Sequence, residues 1–151
     1  MNSKAQAFAS FKLLIGAVIG LMTLVMIIST INHFEKIRLD VSYDLLIQGF
    51  QVALESVDES GTSIDSEPKI VERKELIFEN FVLSKTALKK ITGLLEECIE
   101  FQAVKRNSIV RVDDVVEIKE RTKVDVYYKC IAQYEGCNVY CIASFGKKIE
   151  E

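Results

Sequence analysis

Residues 13–31 read LLIGAVIGLMTLVMIISTI, 19 positions without one charged side chain. A helix needs about 20 such residues to cross the hydrocarbon of a bilayer. A buried helix in a small soluble domain would carry a polar stripe over about five turns, and this run has none. It therefore predicts a membrane helix, placed with its flanks at residues 6–32. The remaining chain then works tied to a membrane.

Beyond the span the helical pattern continues. No proline interrupts residues 7–56, and apolar side chains recur at Ile31, Phe34, Ile37 or Val41, Leu45, Leu46, Phe50 and Leu54. Those steps keep a stripe on one helical face. They predict an extension over residues 33–57 that lays its apolar side on a domain, with Gly49 as a place for a bend. Residues 58–68 are rich in Ser, Asp, Glu and Gly and end at the only proline, Pro68, which reads as a surface loop.

Residues 69–149 form the expected head domain. Residues 69–81 have strand character. Ser84 can cap a second helix over residues 85–101, with Leu88, Ile91, Leu94, Leu95 and Cys98 on its apolar face. Residues 109–112 and 115–119 are β-branched with interleaved charges and read as strands, joined through Asp113-Asp114 as a turn or bulge. Residues 124–133 place Val124, Val126, Tyr128, Cys130 and Ala132 on one face, and residues 138–145 place Val139, Cys141, Ala143 and Phe145 likewise. Tyr134-Glu135-Gly136-Cys137 between them supplies a turn, giving a β-hairpin. The expected fold class is α+β. A long N-terminal helix, transmembrane and then amphipathic, packs on a small antiparallel sheet of four or five strands with one further helix.

Composition narrows the function. The net charge is −3, and Lys4 and Lys12 supply +2 of it before residue 33, which leaves −5 for residues 33–151. An acidic domain is a poor nucleic-acid partner, since phosphate affinity needs clustered Lys and Arg. The pairs Lys89-Lys90, Lys105-Arg106 and Lys147-Lys148 are scattered and read as solvated faces. The only histidine, His33, lies just past the span as an interfacial polar residue. The seven glycines form no phosphate loop, and no cofactor motif appears. Adjacent Asp113 and Asp114 on a strand would point to opposite faces and could not share a substrate. No enzyme activity and no cofactor are expected.

The four cysteines, Cys98, Cys130, Cys137 and Cys141, all follow the span. Four cysteines allow three pairings. If Gln133 faces Asn138 in the hairpin, Cys130 faces Cys141 at a separation of about 4.5–5.5 Å, within disulfide reach. Cys98 with Cys137 would then be the second bridge. Disulfides suit a small domain outside the cell. Buried free thiols and a zinc site are the competing readings, although the spacing fits no common zinc pattern and no histidine lies near. A thiol enzyme would lack an evident base.

Within the span, Gly16 and Gly20 form G-x-x-x-G, a motif through which membrane helices approach closely. Lys4 and Lys12 before the span balance Lys36 and Arg38 after it, so the positive-inside rule is a draw. The cysteines favour an extracytoplasmic head.

Lys4-Ala5-Gln6-Ala7-Phe8-Ala9-Ser10-Phe11, running into Leu13-Leu14-Ile15, resembles the class III signal peptide of archaeal type IV pilin-like proteins. The resemblance implies a leader of residues 1–5, removed by a prepilin-type peptidase between Ala5 and Gln6, with the apolar helix retained. An ordinary secretory signal is cut after its apolar stretch instead. The family also implies bundling of the helices in a filament core, where Gly16 and Gly20 would suit close packing. Its members often carry Glu at the fifth mature position; here that position is Ser10, and Lys12 follows, which fits a minor or accessory subunit. The implied partners are the membrane, other pilin-like subunits or copies of the chain, and the peptidase. The expected role is a structural subunit or accessory component of a type IV pilus-like surface filament or secretion machine. The alternative is a single-pass membrane protein whose head binds a ligand or a protein partner.

Overall fold

A hydrogen-bonded helix opens the computed structural model, α1 (Ser3–Ser60). The structure describes residues 3–60, 68–134 and 136–150, with side chains described from residue 11 and not over 58–60. After α1 come β1 (Ile70–Phe78), β2 (Phe81–Ser84), α2 (Lys85–Thr92), a 3-10 turn at Glu96–Cys98, β3 (Ile99–Ala103), β4 (Ile109–Val112), β5 (Val115–Ile118), β6 (Thr122–Tyr134) and β7 (Cys137–Phe145). The fold is α+β, as its patterning implies. The chain divides into two compact units, Met1–Arg38 and Leu39–Glu151.

In the first unit, every described residue from 11 to 34 is exposed. Leu13, for instance, is 76 % exposed and Met26 69 %.

The second unit begins with the last turns of α1, whose buried positions are Ser42, Leu46, Gly49, Phe50, Ala53 and Val57. The expected stripe is correct at Leu46 and Phe50. Leu45 and Leu54 are only half-buried and Val41 is exposed. The centre of the face is filled by small residues that a hydrophobic pattern overlooks. The Gly49 backbone lies so close to the sheet that a Cβ there would sit 2.6 Å from Tyr128 Cε2. Gly49 is therefore a point of close approach between helix and sheet. Ser42 Oγ accepts a hydrogen bond from the Ile77 N–H at 3.0 Å, and the Tyr128 hydroxyl donates to the Leu46 carbonyl at 3.0 Å. Burial pushes the Tyr128 hydroxyl pKa far up, which the Arg73 charge only partly offsets.

The strands form two sheets instead of one. A four-stranded sheet runs β1-β6-β7-β3 and a three-stranded one β2-β5-β4. Seven strands thus stand, among the described residues, where four or five were expected. The chain changes sheets at Glu79-Asn80, with Asn80 at φ 48°, and Phe78 and Phe81 stack across the corner at 4.6 Å. β1 carries a bulge between Arg73 and Leu76, where the Glu75 N–H donates to Asp125 Oδ1 at 2.8 Å. A bulge sets an extra residue off the ladder and bends the strand. One core joins helix and sheets through Leu46, Phe50, Leu83, Leu88, Phe101, Val116, Tyr128 and Phe145.

Two sequence expectations change here. The second helix ends at Thr92 rather than near residue 101. Ser84 caps it as expected, accepting from the Ala87 N–H at 3.2 Å, but Gly93 takes the left-handed conformation and returns its N–H to the Lys89 carbonyl, a helix stop that glycine adopts cheaply. Residues 99–103 are then strand β3. The sheet is also not wholly antiparallel: β3 pairs in parallel with β7, from Ile99↔Cys141 to Ala103↔Phe145. Asp113, at φ 46°, makes the β4–β5 turn that the sequence allows.

Candidate functional site

The four cysteines close two disulfides, Cys98–Cys137 and Cys130–Cys141. The β6–β7 hairpin takes the register that sets Cys130 opposite Cys141. No free thiol remains among the described residues, so the structure takes the disulfide reading of the four cysteines over the buried-thiol one. Cys98 ends the 3-10 turn just before β3, and Cys137 begins β7. Their bond fastens the parallel pair at its leading end, where the chain itself connects the two strands only through β4, β5 and β6.

The apolar stretch of α1 is compatible with a membrane span. α1 is long and apolar enough to cross a membrane, and none of its most apolar 18-residue window is buried. Thr23 and Thr30 return their hydroxyls to the Gly20 and Met26 carbonyls at 2.9 and 2.8 Å. A hydroxyl in hydrocarbon finds a partner in this way without leaving its own helix. A Cβ built at Gly16 or Gly20 would meet nothing within 4 Å, so both positions are open. Ala5 and Gln6 lie in the helical backbone, and their side chains fall outside the described residues.

A second feature lies on the α+β unit, beside β3. Ile99 and Phe101 point into the core, while Glu100 and Gln102 face outward. After Ala103 the chain leaves the sheet through Lys105 and Arg106, and a tight turn closed by the Ile109 N–H to the Arg106 carbonyl at 3.1 Å starts β4. On the other side, Gly146 follows β7 at φ 72°, where a Cβ would lie 2.9 Å from Val104 Cγ1. Only glycine takes that conformation so close to a neighbour without strain, and the turn brings Lys147 next to the Val104–Lys105 segment. Ser144, fully buried, fixes it by donating to the Lys147 carbonyl at 2.6 Å.

The result is a cleft of about 730 Å³ lined by Glu100, Lys105, Arg106, Arg111 and Lys147, with Val104, Ile109 and Val110 as aliphatic surface. Glu100 Oε2 accepts from the Tyr140 hydroxyl at 2.6 Å and Oε1 from the Gln102 amide at 3.1 Å. Partial burial pushes the Glu100 carboxyl up. The Tyr140 and Gln102 hydrogen bonds and the Arg111 and Lys85 charges outweigh it, so the group titrates below its ordinary value of 4.5. Four cations thus line one cleft with a single anchored carboxylate, on a domain of opposite net charge.

The sequence does not reveal this convergence. Lys105-Arg106 and Lys147-Lys148 read as unrelated solvated pairs, and of these four only Lys148 stays out of the cleft. The usable signal is the alternation Ile99-Glu100-Phe101-Gln102, which marks a half-buried strand running straight into a basic pair. Asp114 has a local role: its Oδ1 binds Lys85 Nζ at 2.8 Å and its carbonyl accepts from the Lys85 N–H at 3.0 Å, tying α2 to the β4–β5 turn. Compared with protein-family models, curated proteins and solved structures, the chain matches none.

Proposed function

We propose that this protein is a membrane-anchored structural subunit, or an accessory component, of a type IV pilus-like surface filament or secretion machine. The observation that carries the reading is the double character of α1. One helix supplies an exposed apolar stretch long enough to span a bilayer and, farther on, the face from Ser42 to Val57 that completes the core of the α+β unit. A cleavable signal peptide of ordinary type would be discarded and would have no reason to continue into a core-forming helix. The Lys4-Ala5-Gln6 start, placed before the apolar run instead of after it, supports processing by a prepilin-type peptidase.

In this role the protein performs no chemistry. The apolar helices associate, with Gly16 and Gly20 permitting close approach, and the disulfide-braced unit makes contacts outside the cytoplasm. Ser10, in place of the family's usual Glu, favours an accessory subunit over a major one.

The intact mass of protein extracted from native membranes, before and after reduction and alkylation, tests the proposal. Loss of residues 1–5 and thiols that alkylate only after reduction are the expected results. A full-length chain refutes processing and leaves a simple anchored protein; thiols open to alkylation without reduction place the α+β unit in the cytoplasm.

A further inference from the structure

We propose that the cleft beside β3 is a binding site for an anionic saccharide, a uronate or a sulfated sugar of two or three units. The first argument is charge. Residues 33–151 carry a net −5, yet this cleft gathers Lys105, Arg106, Arg111 and Lys147 with a single carboxylate. Elsewhere on the unit Lys74, Lys85, Lys89 and Lys119 each have an acid within 4.0 Å. Among the described residues the four cleft cations have no acid that close, which they share with Lys90, Lys123, Lys129 and Lys148; what sets the four apart is that they converge on one cleft. A bound anion supplies the missing counter-charge, and the planar forks of Arg106 and Arg111 match carboxylate or sulfate oxygens in pairs.

The second argument is Glu100. A carboxylate in an anion site repels a ligand that is anionic all over. Here Tyr140 and Gln102 hold it ionised and each takes one of its acceptor positions. A carboxylate offers about four such positions, so acceptors are left for donors on the ligand. A polyhydroxylated acid brings both parts: an acidic group for the arginines and hydroxyls for Glu100. Size agrees, because about 730 Å³ is the volume of a site for a small organic molecule and not of a single ion. Among the described residues the lining contains no aromatic ring, so they offer no stacking platform of the kind on which single-stranded nucleic acid depends. The site stands whether or not the chain enters a filament.

The test uses the full chain in detergent micelles, titrated calorimetrically with trigalacturonate and a sulfated chondroitin disaccharide. Maltotriose, inorganic sulfate and hexathymidylate are the comparison ligands. One or both acidic saccharides should bind, more weakly as salt rises, and maltotriose should not. Arg111→Ala should weaken that binding roughly tenfold, the loss of one charge-assisted contact, while Lys74→Ala leaves it unchanged. Arg106→Ala, in the loop, gives the same answer if Arg111→Ala disturbs edge strand β4, with circular dichroism checking the fold of each. Glu100→Gln should strengthen inorganic sulfate and weaken the saccharide. The proposal is overturned if neither acidic saccharide binds better than maltotriose, if the arginine variants bind as the parent does, if sulfate alone binds as tightly, or if hexathymidylate binds best.

Discussion

Replacing Gly49 by alanine sets two known effects against each other, and the structure decides between them. In an exposed helix, Gly→Ala stabilises by about 1 kcal/mol, because glycine loses more backbone entropy. At Gly49 the new methyl would lie 2.6 Å from Tyr128 Cε2, 3.0 Å from Tyr128 Cζ and 3.0 Å from Arg73 Cγ. The arginine stem can move. The tyrosine ring is held: its hydroxyl donates to Leu46, Phe50 meets it edge-on at 6.1 Å, and it is 1 % exposed. Overpacking of this kind costs about 1–3 kcal/mol, and a ring displaced enough to make room gives up a hydrogen bond worth about 1 kcal/mol. Gly49→Ala should therefore destabilise by about 1–3 kcal/mol despite the better helix former. The melting temperature should fall by about 5–15 °C for a unit of this size. Near-ultraviolet circular dichroism of the full chain in detergent, which reports tyrosine packing, follows the transition. Gly16→Ala and Gly20→Ala, where a Cβ meets nothing within 4 Å, are the controls and should leave it unmoved. In a Tyr128→Leu background the methyl has room, and the penalty should shrink by about 1–2 kcal/mol of coupling. An unchanged or raised melting temperature for Gly49→Ala, or an equal penalty in both backgrounds, refutes the close approach of helix and sheet.

Two further outcomes follow from the same packing. In the chain-entropy view, a bridge across 39 residues is worth about 4 kcal/mol and one across 11 about 3 kcal/mol. The Cys98→Ala/Cys137→Ala pair should thus cost about 1 kcal/mol more than Cys130→Ala/Cys141→Ala in urea unfolding, and the reverse order would assign the stabilisation to native-state packing instead. Because the folded Glu100 carboxyl titrates below 4.5, the unfolded state binds the proton first as pH falls. Its contribution is present in full above that value and is lost as pH drops through the folded value. Tyr140→Phe removes one of the hydrogen bonds that hold it down, so stability measured against pH should fall less steeply below pH 4.5 than in the parent, and identical acid limbs would show that the bond adds nothing.

The parts of this fold that could be read from sequence are those whose signal is local. The apolar helix is a matter of composition over 19 residues. The β6–β7 hairpin shows its alternation, its turn and, through Cys130 and Cys141, even its register. The α2 cap is visible at Ser84, whereas its end is not: Leu94, Leu95 and Cys98 prolong the helical spacing past Gly93, and only the left-handed backbone at that glycine stops it. Continuing the helix hides β3, and with β3 the outward row of Glu100 and Gln102. Parallel pairing compounds the loss, since the Ile99↔Cys141 register joins segments about forty residues apart that no short pattern connects. The cleft depends on that one pairing. It sets Lys105 and Arg106, which leave the sheet after β3, beside Lys147, which leaves it after β7, and β4 then adds Arg111. Four cations that are unremarkable in sequence become a site only after the topology is known, so the element hardest to foresee is also the one that assembles the charge.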